Sequence, residues 1–333
     1  MESFHCGTVG LANFVLNESL VRAHSQAGFV IVTFTNRGGA HVALNWARQL
    51  SAVNLPRSLI GLTEALDGSM LDDLRGAGAG FFCADSELAR LDSAAGRWKE
   101  LARLMRFGVD VLCSDADIAW LRDPLPYFRA VQRRHPTLDI ALASDRVTLD
   151  FTSQPLGARY FASDSGGRTS ASAGWRSMSP GTNEADMARD LGLEDAVTFH
   201  MPSYNVGIVM LFASRAAQRD ALAQMLVRWT EATVTSPPHA RKVKVDSWAQ
   251  GPINMRVLRR GLRRDEVDPH LGCVFDGRLT LGVLPSLQFT TALTYFSFAP
   301  RRAELGVAAF CLHAIFSHGR DPRRKLSILR QVG

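Results

Sequence analysis

The sequence predicts an α/β protein with a mixed, mostly parallel central sheet flanked by helices, and three observations carry that expectation. From Phe29 onward, short apolar runs rich in β-formers alternate with stretches of helical periodicity, as in strands joined by crossover helices. Those runs are continuous where a half-exposed strand would alternate, so they suit strands covered on both faces. The 333 residues are 46% hydrophobic and 21% charged, an ordinary globular composition that can build one large core without disulfide or metal staples.

Taken in order, FVIVTFTN (29–36) reads as the first buried strand and GGAHVALNWARQL (38–50) as the helix after it. RSLIGLTEAL and AGFFCAD follow as strands, and RWKELARLMRFG (97–108) as a helix with Leu101, Leu104 and Met105 near one face. DVLCSDADIAW (110–120) is a strand running into a polar turn, placed near the middle of the sheet by its unbroken apolar part. LDIALASD (138–145) is another strand. The segment 153–202 then lacks periodicity and is rich in Ser, Gly, Ala and Asp, including SDSGGRTSASAG. A loop of that length is either a lid over a site or disordered. YNVGIVMLFAS (204–214) resumes the strands, with helices expected over about 215–233 and 246–260. RLTLGVLPSLQF and AAFCLHAIFSHG read as strands before the basic tail RDPRRKLSILRQVG. Residues 1–28 read as an N-terminal extension and 29–330 as one domain, with one half over about 29–150 and a second over about 203–330.

Composition excludes several classes. The net charge of +6 is modest, and no helix-turn-helix, RNA-recognition or zinc pattern accompanies it, so no nucleic-acid partner is expected. Five cysteines with no C-x-x-C pair argue against a zinc ribbon or a dense disulfide scaffold. Cys83, Cys113 and Cys311 lie in apolar runs and read as buried fillers. No run approaches the roughly 18 apolar residues of a membrane helix, so no membrane segment is expected.

The stretch Ser114-Asp115-Ala116-Asp117 sits at the carboxyl end of the central strand, where open α/β sheets bind ligands. Carboxylates at i and i+2 diverge on a strand but converge on one cation in a turn leaving it. Hard divalent ions take such oxygens and share them with phosphates. A lone D-x-D is a weak signal, and a solvated turn is its ordinary alternative. His313 closes an apolar run near the C-terminus and precedes Gly319, Arg320, Arg323, Arg324 and Lys325, a set suited to a cation and a diphosphate. A core histidine and a solvated basic tail are the ordinary alternatives there. Trp175, within the 153–202 segment, is a candidate for stacking on a ligand.

Together these stretches resemble a GT-A glycosyltransferase of the nucleotide-diphospho-sugar transferase type. The resemblance is to the plant and algal family 77 of arabinosyltransferases and xylosyltransferases. It runs from about Phe29 to Arg330 through FVIVTFTN, LNWARQL, VDVLCSDADIAWLRDP, YNVGIVML, WAQGPIN and LHAIFSHGRDPRRKLSILR, and the D-x-D stretch is its specific part. It implies a GT-A, Rossmann-like nucleotide-sugar-binding fold, a UDP-sugar donor, a glycan or glycoprotein acceptor, Mn²⁺ or Mg²⁺, and work in the Golgi lumen. Asp115, Asp117 and His313 are then the metal ligands. Thr33 and Asn36 lie near uracil and ribose. Lys99 and Arg103 belong to a helix that contacts sugar or phosphate. Asn205 and Gly207 line the sugar pocket, and Gly319 and Lys325 meet the diphosphate.

Gln250 and Asn254 match a W-D-Q-x-x-x-N pattern, but Ala249 stands where the pattern has Asp, and the nearest carboxylate is Asp246. On a helix i and i+3 share a face, so Asp246 substitutes only if the local register shifts. Asp246, Gln250 and Asn205 are the candidate catalytic groups. The family is retaining, and front-face return of the acceptor hydroxyl is the expected route. A catalytically weak or inactive sugar-nucleotide or glycan-binding relative is the alternative that Ala249 motivates.

Overall fold

The computed structural model of the chain describes residues 14–84, 93–144, 204–213, 215–234, 263–265, 267, 271–314 and 322–330. In chain order these form α1 (Glu18–Ala23), β1 (Ser25–Gln26), β2 (Phe29–Thr35), α2 (Ala40–Ala52), β3 (Ser58–Leu62), α3 (Gly68–Gly76), β4 (Ala79–Cys83), α4 (Ser93–Met105), β5 (Asp110–Ser114) and β6 (Ile118–Trp120). They continue with α5 (Leu125–Arg134), β7 (Ile140–Ser144), β8 (Tyr204–Leu211), α6 (Ala216–Val234), β9 (Arg263–Arg264), β10 (Gly272–Val274), β11 (Leu279–Val283), β12 (Phe289–Thr291), α7 (Ala292–Ser297), α8 (Ala299–Glu304), β13 (Cys311–His313) and α9 (Pro322–Arg330).

The main sheet has the order β4-β3-β2-β5-β8-β7-β11-β10-β9, with β1 added alongside β2. β4, β3, β2 and β5 run parallel. β8 enters antiparallel between β5 and β7, and β7 pairs in parallel with β11. This is the expected mixed, mostly parallel sheet, and β5 lies at its middle. Successive residues of a strand point to opposite faces, and here both faces are covered. Val30, Val32, Val111 and Cys113 pack under α4 and α6, where Trp98 meets Trp229 edge-on at 4.9 Å between ring centroids. Phe29, Ile31 and Leu112 pack beneath Trp46 and Leu50 of α2, Leu74 of α3 and Phe128 of α5. Each such fully buried side chain contributes about 1.5–3 kcal/mol, and burial on both sides is why β2 and β5 read as unbroken apolar runs.

Two strand expectations change. RLTLGVLPSLQF splits into β11 and β12, because Pro285 stands between them and has no N–H to donate to a ladder. The described part of AAFCLHAIFSHG, residues 308–314, holds the three-residue β13, which joins β12 and β6 in a separate small sheet of order β12-β13-β6. Cys113 and Cys311 are buried and free. Cys83 corrects the reading of it as a buried filler: it is half-buried and disulfide-bonded. The 153–202 loop, Trp175 and the 246–260 helix lie outside the described residues.

Candidate functional site

The site grows from the carboxyl end of β5. Buried Val111, Leu112 and Cys113 carry the chain through the core, and the turn at Asp115–Asp117 then breaks out of the main sheet into β6. Three bonds fix this turn. Asp115 N–H donates to Gly207 O at 2.8 Å, extending the β5–β8 ladder by one rung, and Ile118 N–H closes back on Asp115 O at 3.3 Å. The Trp46 indole donates to Ser114 Oγ at 2.9 Å, tying α2 to the strand end inside the core.

His313 reaches this turn through strand register. β13 pairs antiparallel with β6, with His313 opposite Ile118 and therefore next to Asp117. Ala314 N–H donates to Asp117 O at 2.9 Å and locks that register. As a result His313 Nε2 lies 3.2 Å from Asp117 Oδ1 and 3.6 Å from Asp115 Oδ2. One ligand atom from each of the three residues falls within 4.8 Å of the others. Two atoms bound at about 2.0–2.4 Å to one ion are at most about 4.8 Å apart, so the three fit a single divalent cation. Two carboxylates suit a hard divalent ion, and the imidazole favours a transition-metal ion over Mg²⁺.

Each carboxylate has a second partner. Arg97 Nη1 holds Asp115 Oδ1 at 2.6 Å, with Nη2 toward Val206 O at 3.4 Å. Lys325 Nζ holds Asp117 Oδ2 at 2.7 Å. Burial pushes the Asp117 carboxyl up, but His313 and then Lys325 outweigh it and hold the group well below the usual carboxylate range. Burial also pushes the Cys113 thiol up to about 12, against a smaller lowering by Arg97, so this cysteine beside the site is packing material and no nucleophile.

Gly207 explains how three segments come so close. Asn205 Oδ1 accepts the Gly207 N–H at 2.6 Å. A Cβ on residue 207 would fall among His313, Asn205 Oδ1 and Asp115 Oδ2, within 3 Å of all three. Only a residue without a side chain lets β8 pass here.

The structure thus gathers Asp115, Asp117, His313, Lys325, Asn205 and Gly207 at one place. Thr33 is fully buried on β2, and the Val32–Cys113 pairing sets it level with Ser114 on the same sheet edge. Asn36 lies just past that strand, where its side chain accepts the Gly39 N–H at 2.9 Å. Lys99 is exposed on α4, and Arg103 pairs with buried Glu100 at 2.8 Å. At about 100° of helix per residue, the two project roughly 160° and 120° away from Arg97, the side chain of α4 that meets the acidic turn. Asp246, Gln250, Asn254 and Gly319 lie outside the described residues. Arg97 went unread in the sequence, although a signal exists: it occupies the i position of an i, i+4, i+7 stripe completed by Leu101 and Leu104, where a charge needs a buried partner.

The chain is also similar to known proteins. A family model described as nucleotide-diphospho-sugar transferase matches residues 90–328. The arabinosyltransferase XEG113 of Arabidopsis thaliana is 24% identical over 325 residues, covering 94% of this chain and 41% of that protein. The chain therefore spans about two fifths of the length of this relative. Among solved structures, the galactosyltransferase LgtC with donor and acceptor sugar analogues is 11% identical, with a TM-score of 0.45, over 90% of this chain and 95% of that one. Mouse xyloside xylosyltransferase 1 is 11% identical, with a TM-score of 0.41, over 87% and 99% respectively.

Proposed function

The chain belongs to the nucleotide-diphospho-sugar transferase family, and from that premise we propose that it is a retaining, Mn²⁺- or Mg²⁺-dependent glycosyltransferase. It moves arabinofuranose, xylose or galactose from a UDP-sugar to a cell-wall glycoprotein or polysaccharide in the Golgi lumen. The arabinosyltransferase relative puts arabinofuranose first among the donors to try. A disulfide at Cys83 suits an oxidising compartment, and no helix of the described residues is long and apolar enough to cross a membrane. The observation that carries the reading is the meeting of Asp115, Asp117 and His313 within 4.8 Å.

These three side chains would hold the ion, which supplies Lewis-acid stabilisation of the charge developing on the departing diphosphate. Lys325, already beside Asp117, adds fixed positive charge where phosphate oxygens would collect. Asn205 and Gly207 shape the wall the sugar would face, and their mutual hydrogen bond keeps β8 in place against Asp115. Asp246 and Gln250 are the further groups assigned to the reacting sugar. The acceptor hydroxyl returns on the face the diphosphate leaves and passes its proton to that leaving group, so configuration is retained.

A screen of UDP-arabinofuranose, UDP-xylose and UDP-galactose with Mn²⁺, read as UDP release, tests the proposal. Turnover with one donor that Asp117→Ala abolishes supports it. Ala249 favours a second reading, a sugar-nucleotide-binding relative of low activity. Tight donor binding without turnover on any acceptor would select that one.

A further inference from the structure

We infer that the edge of the main sheet remote from the acidic turn is a docking surface for an acidic polysaccharide, gripped through its carboxylates by a row of exposed arginines. The inference rests on the reading of the chain as a glycosyltransferase with a glycan acceptor, and adds the chemical class of that polymer and the place that holds it. Its basis is where strand order and register put the arginines.

The parallel strands β3, β2 and β5 start at this edge, because Val32 pairs with both Leu59 and Cys113. The end of β8 and the start of β7 are level with them, because Leu211 pairs with both Val111 and Ile140. The segments that lead into these strands carry Arg57 ahead of β3, Arg106 ahead of β5, and Arg133 and Arg134, at the end of α5, ahead of β7. All four are exposed, and no carboxylate of the described residues pairs with any of them. Two more arginines border the row. The Arg219 guanidinium comes within 2.7 Å of where a Cβ on Gly108 would stand, in the turn after Arg106, and Arg129 lies over the Phe29 ring at 4.4 Å where β2 begins. The acids nearby do not cancel this charge. Asp110 and Asp139 are 3% and 2% exposed, and Asp139 already pairs with Arg215. Among the described residues of 55–58, 106–110, 133–139 and 212–220, Asp220 is the one exposed carboxylate.

The shape of the row selects the ligand. In the order β3-β2-β5-β8-β7 the outer strands stand four spacings of about 4.8 Å apart, so the arginines extend over about 19 Å. That is too long for a single anion and suits an extended polymer with repeated charges, whose carboxylates guanidinium groups take in bidentate pairs. A lipid surface also offers anions, but it rewards apolar side chains sunk among its headgroups. The large apolar residues most exposed among the described residues, Val15, Val227, Val267, Phe296 and Leu305, all lie outside the segments of this edge. The five residues of β5 separate the row from the acidic turn by about 16 Å. A polymer held at one end of that span keeps its other stretches at high local concentration near the turn, which raises occupancy by an acceptor without any added contact at the turn itself.

The test titrates the full chain with linear polygalacturonate, with neutral galactan as the uncharged counterpart. The protein should bind polygalacturonate and not galactan. Raising salt from about 0.01 to about 0.15 M, which shortens the screening length from about 30 to about 8 Å, should weaken that binding about tenfold. Arg133→Gln combined with Arg134→Gln should also weaken it about tenfold. Arg57→Gln combined with Arg106→Gln should do the same from two other segments, and replaces the first pair should that protein melt early. Arg301→Gln, exposed on α8 outside this edge, should leave binding unchanged. Equal binding of galactan, preference for phosphatidylserine vesicles or a DNA duplex, or losses in the paired variants no larger than in Arg301→Gln overturns the inference. UDP release is measured in parallel. Turnover without polygalacturonate binding overturns the inference and leaves the donor reading intact. Binding that depends on these arginines, with no turnover of any donor, overturns the donor reading and with it the acceptor role of the surface.

Discussion

Replacing Gly207 with alanine adds one methyl group where three functional side chains already meet. Its Cβ would lie 2.7 Å from Asn205 Oδ1 and 2.9 Å from Asp115 Oδ2, with the His313 ring closer still. Non-bonded carbon contacts settle at about 3.5–4.0 Å, so some group must yield by about 1 Å. β8 is laddered on both sides by β5 and β7, and Asp115 is held by Arg97 and by its own N–H bond to Gly207. The His313 ring lies nearest the added Cβ, so the imidazole should swing away from the two carboxylates. Overpacking of this kind costs about 1–3 kcal/mol of stability. A misplacement of about 1 Å at a positioning group costs on the order of 100-fold in rate. Mn²⁺ affinity in the presence of UDP, UDP release and thermal melting should all fall together in Gly207→Ala. Gly76→Ala, at the end of α3 with nothing within 4 Å of its Cβ, should be neutral or gain up to about 1 kcal/mol. A Gly207→Ala protein with unchanged Mn²⁺ affinity and turnover would refute the close approach as the reason for glycine.

Two further outcomes follow from the same contacts. Arg97→Ala leaves a partly buried Asp115 oxygen without its cation and should cost at least about 1–3 kcal/mol in stability or donor binding, whereas exposed Lys99→Ala should cost at least about tenfold less in UDP release. Equal losses would return Lys99 to the centre of the site. Asp139 accepts the Thr280 N–H at 2.8 Å and pairs with Arg215, yet burial, the largest influence, raises its carboxyl above the ordinary value. A carboxyl that holds its proton more tightly folded than unfolded contributes stability that is complete below about pH 3.9 and is lost as pH rises through the folded value. Urea unfolding across about pH 4 to 7 should therefore show a flatter pH dependence in Asp139→Asn; parallel curves would rule the effect out.

Much of the scaffold was legible because buried strands and amphipathic helices write themselves locally. Val111-Leu112-Cys113 announces a strand covered on both faces, and the sudden polarity of Ser114-Asp115-Ala116-Asp117 announces where it leaves the core. The contact of His313 with that turn depends instead on pairing β13 with β6, and nothing in a three-residue run declares its partner or its register. The antiparallel entry of β8 between β5 and β7 is equally non-local, since YNVGIVML has the same apolar character as its parallel neighbours. Arg97 was hidden for the opposite reason. On a helix otherwise read for its leucines, one charge looks like surface until a partly buried acid across 18 residues of sequence is found to receive it.

The pairing of β6 with β13 also orders events in time. Lys325 and Asp117 stand 208 residues apart in sequence, and contacts of such separation close late when a chain folds. β2 to β5 can form their parallel layers from the first half of the chain, but the cation cradle stays open until β13 and α9 arrive. A polypeptide released or clipped ahead of Cys311 would keep much of its hydrophobic core and lack both the imidazole and the lysine. For this architecture, surviving as a folded body and being competent are separate milestones, and the second is reached only when the last segment docks.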